Sequence, residues 1–368
     1  MNVLSAMLRG DASPITLSGR WDPAALCAEA RAEGVGALVA DALAGRLDLP
    51  PDLTAALRSE AARMAAIDLV QEREIRSLVA ALHRAAAGAL LMKGAELAYT
   101  HYARSDLRPR SDTDILIPHA RLDAVRSVLT DLGYEHTGHM DAALVMGQAS
   151  FVKCRDEAVV HMVDVHFRLA NPRVFAGVMS YEELAASARP VPKLCPEARG
   201  LSDAHALLLA CVHRVAHHFD SDRLVWLYDI HLLSNALDQA SWTEFVRLAI
   251  DRGVASICLR GLEKTIELLG SSVPSTVLSA LEARARQHEE VSASYLRPGS
   301  RARQEVHVFA TDLRALPTWA DRWRLVREHV FPSAAYMRDV YAPSSRAPLS
   351  ILYARRALRG ARKWLARA

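Results

Sequence analysis

The chain reads as an α+β protein: a small mixed-sheet core between an N-terminal and a C-terminal helical region. Three observations carry that reading. Strand-like apolar runs are confined to residues 89–199, while residues 1–88 and 200–345 carry helix formers, with apolar residues at helical spacing. Residues 346–368 stand apart as a basic tail.

In the first region, Asp22-Pro23 offers an N-cap followed by proline in the first turn. The stretch from Asp52 to Ala87 is rich in Ala, Leu, Glu and Arg and lacks Gly and Pro, which predicts a long helix. Ala89 to Met92 reads as a short buried strand, with a helix beginning after Lys93-Gly94. Ile115-Leu116-Ile117 and Val159 to Phe167 are further strands. His119 to Gly133 reads as a helix between them, with Leu122, Val125, Leu129 and Leu132 on one face. Past Leu201 the chain turns helical. Ser202 reads as an N-cap, Ser241-Trp242-Thr243-Glu244 as a capping box, and helix ends fall near Gly253 and Gly270, the latter followed by Pro274. Residues 342–348 read as a linker.

The 368 residues suffice for two or three domains, and the net charge of +3 is nearly balanced. Seven Lys/Arg and no Asp/Glu lie from Arg346 onward, so the remainder carries that +3 less seven, or −4. The tail interleaves its arginines with Leu352, Tyr353, Leu358, Trp364 and Leu365. It reads as a helix packing an apolar stripe on the body, with lipid or nucleic-acid binding as the competing reading. Five scattered cysteines without a Cys-x-x-Cys pair suggest free thiols in a reducing compartment. No signal pattern is seen, and no apolar run approaches the ~18 residues of a spanning helix. A cytoplasmic protein without stable membrane insertion is expected.

The chemistry concentrates in four pieces. Asp112 and Asp114 are two apart and run into a strand, where residues i and i+2 share a face. Asp164 shares its strand face with His166, while Val163, Val165 and Phe167 can pack into a core. If the strands are neighbours, three carboxylates converge, and their repulsion asks for a divalent cation. Mg²⁺ suits carboxylate oxygen plus substrate phosphate. The plainer alternative is a turn-capping Asp pair and a salt-bridged Asp164, but an Asp inside Val-Val-His-Met-Val-Asp-Val-His-Phe is costly unless compensated. Lys93-Gly94, at a strand-to-helix turn, would let backbone amides approach a phosphate and add a full charge. The alternative there is an ordinary turn with an exposed lysine. Arg108, Arg110 and Ser111 precede the first Asp. Arg108 could pair with phosphate oxygens through its planar fork, and Arg110 reads as a solvated loop charge.

These pieces resemble the DNA polymerase β-like nucleotidyltransferase superfamily. More closely, they resemble the bacterial family called uncharacterised nucleotidyltransferase. Lys93-Gly94, Arg108-Pro109-Arg110-Ser111-Asp112-Thr113-Asp114 and Val163-Asp164-Val165-His166-Phe167 carry the likeness, which extends from about Leu57 to Tyr341. The resemblance implies a polymerase β-like core and two Mg²⁺ ions on Asp112, Asp114 and Asp164. It implies an NTP donor, expected to be ATP, whose triphosphate meets Lys93, Gly94, Arg108 and Ser111. Asp164 would also serve as base toward an acceptor, and Arg108 is favoured over Arg110 on this likeness. Ala95 stands where the wider superfamily has serine after the glycine, which shifts weight onto Lys93.

The function expected is Mg²⁺-dependent transfer of NMP to a small molecule, a peptide or protein, or tRNA. The alternatives are a toxin-like enzyme modifying tRNA or protein, and a non-catalytic nucleotide-binding module. His166 and His217 are candidate substrate contacts. His213 and His217 have a zinc-like spacing, yet Arg214 replaces the glutamate a metalloprotease needs, so packing or substrate contact is preferred. Asp229 reads as a structural partner of an arginine.

Overall fold

The computed structural model describes residues 3–9, 22–46, 49–137, 147–296, 301–316, 318–332, 334–341 and 347–365. Most of the expected linker, 342–346, lies outside them, as do the side chains beyond residue 358.

The architecture is α+β. A five-stranded mixed sheet has the order β1-β2-β5-β4-β3, with β1 Leu90–Leu91, β2 Thr113–Leu116, β3 Glu135–Thr137, β4 Gln148–Arg155 and β5 Ala158–His166. β2 and β5 are parallel and the other neighbours antiparallel. The hairpin between β4 and β5 turns on Asp156 (φ 51°) and Glu157 (φ 65°), two left-handed residues as a two-residue type I′ turn requires. In the parallel pair Asp114 lies beside Asp164 and Leu116 beside His166.

One face of this sheet is dry. Ile115, Ile117, Val163 and Val165 pack there with Ile75, Leu78 and Leu82 of the helix Pro51–Arg84 and with Val125 and Leu129 of the helix Leu122–Asp131. Phe167, expected to join them, lies past the strand end, half-buried and edge-on to His119. The opposite face carries Asp114, Asp164 and His166 toward a second apolar cluster, built from the N-terminal helices and the helices after residue 200. Alternation along two short strands therefore separates the core from the chemistry.

Several boundaries match the spacing. Asp22 caps Pro23–Ala32 by accepting from the Ala24 amide, and Gly270 (φ 67°) closes Ala255–Leu269 in the left-handed conformation. The capping box is corrected. Helix Gln239–Asp251 begins a turn earlier, because Asp238 already accepts from the Ser241 amide at 2.8 Å. Ser202 precedes helix Asp203–Ala216 without capping it, and its hydroxyl meets His205 Nδ1 at 2.6 Å instead. The tail forms helix Leu349–Leu365, with Leu352 buried against Met337 and Leu358 exposed. All five cysteines are free, and no helix among the described residues is long and apolar enough to cross a membrane.

A polar thread runs through the dry face. His161 sits at 3 % exposure, its Nε2 2.9 Å from Thr113 Oγ1 and its Nδ1 2.6 Å from the Tyr134 hydroxyl. Burial lowers its pKa to about 4. An unfolded chain binds this proton near pH 6.5 and the folded one only near 4, so folding loses stability as pH falls through that window. Burial likewise lowers His217, to about 3, and His218, to about 4, adding to the slope. Thermal melts should show Tm falling from pH 6.5 toward 4, with a shallower fall in His161→Gln.

Candidate active site

A cavity of about 560 Å³ opens between the sheet and the helices that follow residue 200, and Lys93, Asp112, Asp114 and Asp164 line it. Each reaches it for a local reason. Asp114 projects from β2 and Asp164 from β5 at paired positions of the parallel ladder. Asp112 lies in the bend just ahead of β2 rather than on the strand. Lys93 opens helix Lys93–Thr100 with φ 54°, a left-handed conformation that costs a non-glycine residue roughly 1 kcal/mol or more. Strain of this kind persists where surrounding contacts hold it, and it concentrates at functional sites.

Those contacts are electrostatic. Lys93 Nζ and His166 Nε2 each stand 2.7 Å from Asp114 Oδ1, so His166 donates from Nε2. Burial pushes the Asp114 carboxyl up, but the Lys93 charge and the His166 hydrogen bond outweigh it and hold the group well below the carboxylate range. Asp112 goes the other way. Burial, then the neighbouring Asp114 and Asp164 carboxylates, raise it to about 6, with the Lys93 charge and then the Ser111 hydroxyl acting in partial relief. Asp164 is gripped from β4, where Ser150 Oγ donates to its Oδ1 at 2.6 Å and Gln148 Nε2 to its Oδ2 at 2.8 Å.

The residues fit a divalent cation. Asp114, Asp164 and His166 bring ligand atoms within 4.8 Å of one another, the one such group of three found among the described residues. Asp112 is outside that group, yet its raised pKa registers the like-charge crowding that a cation relieves. Carboxylate oxygens suit a hard ion, and His166, bonded to Asp114, is placed to orient that ligand from behind. The zinc-like spacing of His213 and His217 is joined by no third donor among the described residues.

Both arginines are held by carboxylates of the protein. Arg108 lies at 9 % exposure and forks onto Asp229, Nε to Oδ1 at 2.8 Å and Nη2 to Oδ2 at 2.7 Å, while its Nη1 donates to the Pro109 carbonyl. The side chain borders the cavity, and three of its five N–H donors are taken by the protein. Tyr102 adds a bond to Asp229 at 2.7 Å, so Asp229 is the structural partner the sequence suggested. Gly94 serves this packing. A Cβ there would stand 3.0–3.1 Å from the Arg108 guanidinium, closer than the pair can sit without shifting.

Arg110 is not a solvated loop charge. It is buried on Asp68 of the long helix, donates to the Ser105 carbonyl at 3.1 Å and lies over the Tyr99 ring. Gln71 of that helix donates to the Arg110 carbonyl at 2.8 Å. The short loop that delivers Asp112 is thereby tied to both helical regions. The sequence signal for these partners was thin. Asp68 is one of five acids on its helix and Asp229 is the one acid on its own, and only the Gln148-x-Ser150 alternation opposite Val163-Asp164-Val165-His166 marked the residues that hold Asp164.

A mixed sheet that sets paired carboxylates and a lysine on the wall of one cavity suits the transfer of a phosphate-bearing group. The chain is a member of the uncharacterised nucleotidyltransferase family, whose profile matches residues 20–270. The match starts ahead of the stretch expected from the motifs and stops at the Gly270 cap, so the later helices lie outside it. No curated protein matches the chain.

Removing one partner of a buried ion pair strands the other charge, at a cost of about 3–5 kcal/mol. Asp68→Ala and Asp229→Ala should each lose that much in urea denaturation. Asp123→Ala, at a 97 % exposed position, should change stability by less than about 0.5 kcal/mol.

Proposed function

We propose that the protein is a Mg²⁺-dependent nucleotidyltransferase that moves NMP from an NTP, with ATP the expected donor, to an acceptor hydroxyl and releases pyrophosphate. The single observation that carries this is the ladder pairing of Asp114 with Asp164 beside Lys93, with Asp112 two residues away in the same cavity.

Asp112, Asp114 and Asp164 would hold the metal, as two ions in the expected case. Bound there, the metal supplies charge neutralisation to the carboxylates and to the phosphoryl oxygens. Lys93 offers a full positive charge to the triphosphate, with Gly94 and Ser111 bordering the same space. Arg108 lends its field from the cavity wall while it stays fixed on Asp229. The acceptor oxygen forms a bond to Pα as the Pα–O–Pβ bond breaks, the electron pair leaves with pyrophosphate, and the acceptor proton passes to Asp164. Ser150 and Gln148 keep the Asp164 carboxylate pointed at the cavity throughout.

Calorimetric titration with each NTP in Mg²⁺ tests the reading. One NTP should bind with a metal requirement, and the double variant Asp112→Asn/Asp114→Asn should lose it while remaining folded. Absence of binding by any NTP to folded wild-type protein would overturn the proposal. Once an acceptor is in hand, Asp164→Asn should lower pyrophosphate release by roughly 10²–10³-fold, the scale of losing one preorganised electrostatic partner.

A further inference from the structure

The cavity that holds the carboxylates is also lined by four aromatic rings that the phosphate chemistry leaves unused. His217 and His218 come from the turn that ends helix Asp203–Ala216, His213 from its last turn, and Trp226 from the start of helix Leu224–Ala236. All four line the cavity. His218 lies flat on the Trp226 indole, with centroids 3.6 Å apart and planes 18° from parallel. His213 and His217 stack at 5.1 Å and 25°, and His213 meets His218 edge-on at 4.7 Å. The Arg223 guanidinium lies over the indole, 5.2 Å from its centroid.

This wall is built rather than incidental. The turn that carries His217 and His218 passes through left-handed Phe219 (φ 52°) and Asp220 (φ 58°), which costs backbone energy. Arg214, fully buried, holds the turn by bonding the Asp220 carboxylate, the carbonyls of Asp220 and Ser221, and Asp222 Oδ1 at 3.0 Å. His217 Nε2 is buried and has no hydrogen-bond partner among the described residues. Burial, followed by the Lys93 charge, holds the three imidazoles neutral, and Asp114 pulls each the opposite way. Wall and carboxylates therefore share one cavity and one electrostatic neighbourhood.

We infer that the aromatic wall is the nucleoside subsite: the base of the nucleotide stacks on the His218–Trp226 pair, and His217 Nε2 takes a polar group of the same nucleoside. The inference rests on the nucleotidyl-transfer reading above and adds where the nucleoside end of that substrate lies. Neutral flat rings suit a base, since every base offers a π-face and such stacking is worth about 1–3 kcal/mol per base. A triphosphate has no use for them. Its charge is met at Lys93 and the carboxylate end, so the two halves of the substrate are bound by separable parts of the protein.

That separability is the test. ATP and inorganic triphosphate, each with Mg²⁺, are titrated into wild-type full-length protein, His218→Ala, Trp226→Leu and the ring-preserving His218→Phe. Folding is checked by circular dichroism. His218→Ala removes a side chain in a turn, so it remains informative if Trp226→Leu fails to fold. The expected result is ATP affinity weakened roughly 5- to 100-fold in His218→Ala and Trp226→Leu, largely kept in His218→Phe, with triphosphate affinity unchanged in all. If ATP affinity is unchanged in both truncations, or falls in step with triphosphate affinity, the subsite is wrong while the nucleotidyl-transfer reading stands. If neither ligand binds the folded wild type, that reading falls and takes the subsite with it.

Discussion

Two buried arginine pairs govern how the rest of the molecule is arranged. Arg108 and Arg110 lie two residues apart in one short loop, and each is anchored on a different part of the chain. Asp229 holds the first and Asp68 the second. Between them they settle where Asp112 begins, because the loop reaches that residue within four positions of Arg108. Pairs of this kind contribute modest net stability, since desolvation offsets most of the attraction. Their value here is geometric: a planar fork fixes direction as well as distance.

The site itself is a balance of charges in a confined space. Three carboxylates near one another are unfavourable, and the chain answers each differently. Asp114 has Lys93 and His166, Asp164 has Ser150 and Gln148, and Asp112 has the Ser111 hydroxyl. The unequal answers explain why Asp112 retains its proton more readily than Asp114. They also explain the odd backbone at Lys93, where a left-handed residue is tolerated because its ammonium is bound to Asp114.

Much of this was legible in the sequence, for identifiable reasons. Two-residue periodicity placed Asp164 and His166 on one face and Val163 and Val165 on the other, and the composition shifts separated strand-bearing from helical stretches. Local chemistry marked the Asp22 cap and the Gly270 stop. What could not be read were long-range partners. That Arg108 forks onto Asp229 depends on a residue 121 positions away. Arg110 looked solvated because its partner lies on a helix whose polar residues give no sign of which one turns inward. The Ser241 pattern misled because Asp238, three residues earlier, serves the same amide. The imidazole wall was visible only as a spacing of histidines. Its orientation depends on Arg214 drawing the following turn back onto itself.

The parallel pairing of β2 with β5 has a consequence for how the protein is made. Asp114 and Asp164 belong to strands joined only through an intervening helix and hairpin, and the arginine anchors reach farther still. Contacts of such long sequence separation form late, because the intervening chain must first be brought together. On a ribosome, where the chain emerges in order, the carboxylates are synthesised well before Asp229 is available to lock the loop beside them. A chain that ends before Asp229 thus carries all three carboxylates but lacks the partner that fixes the loop before them.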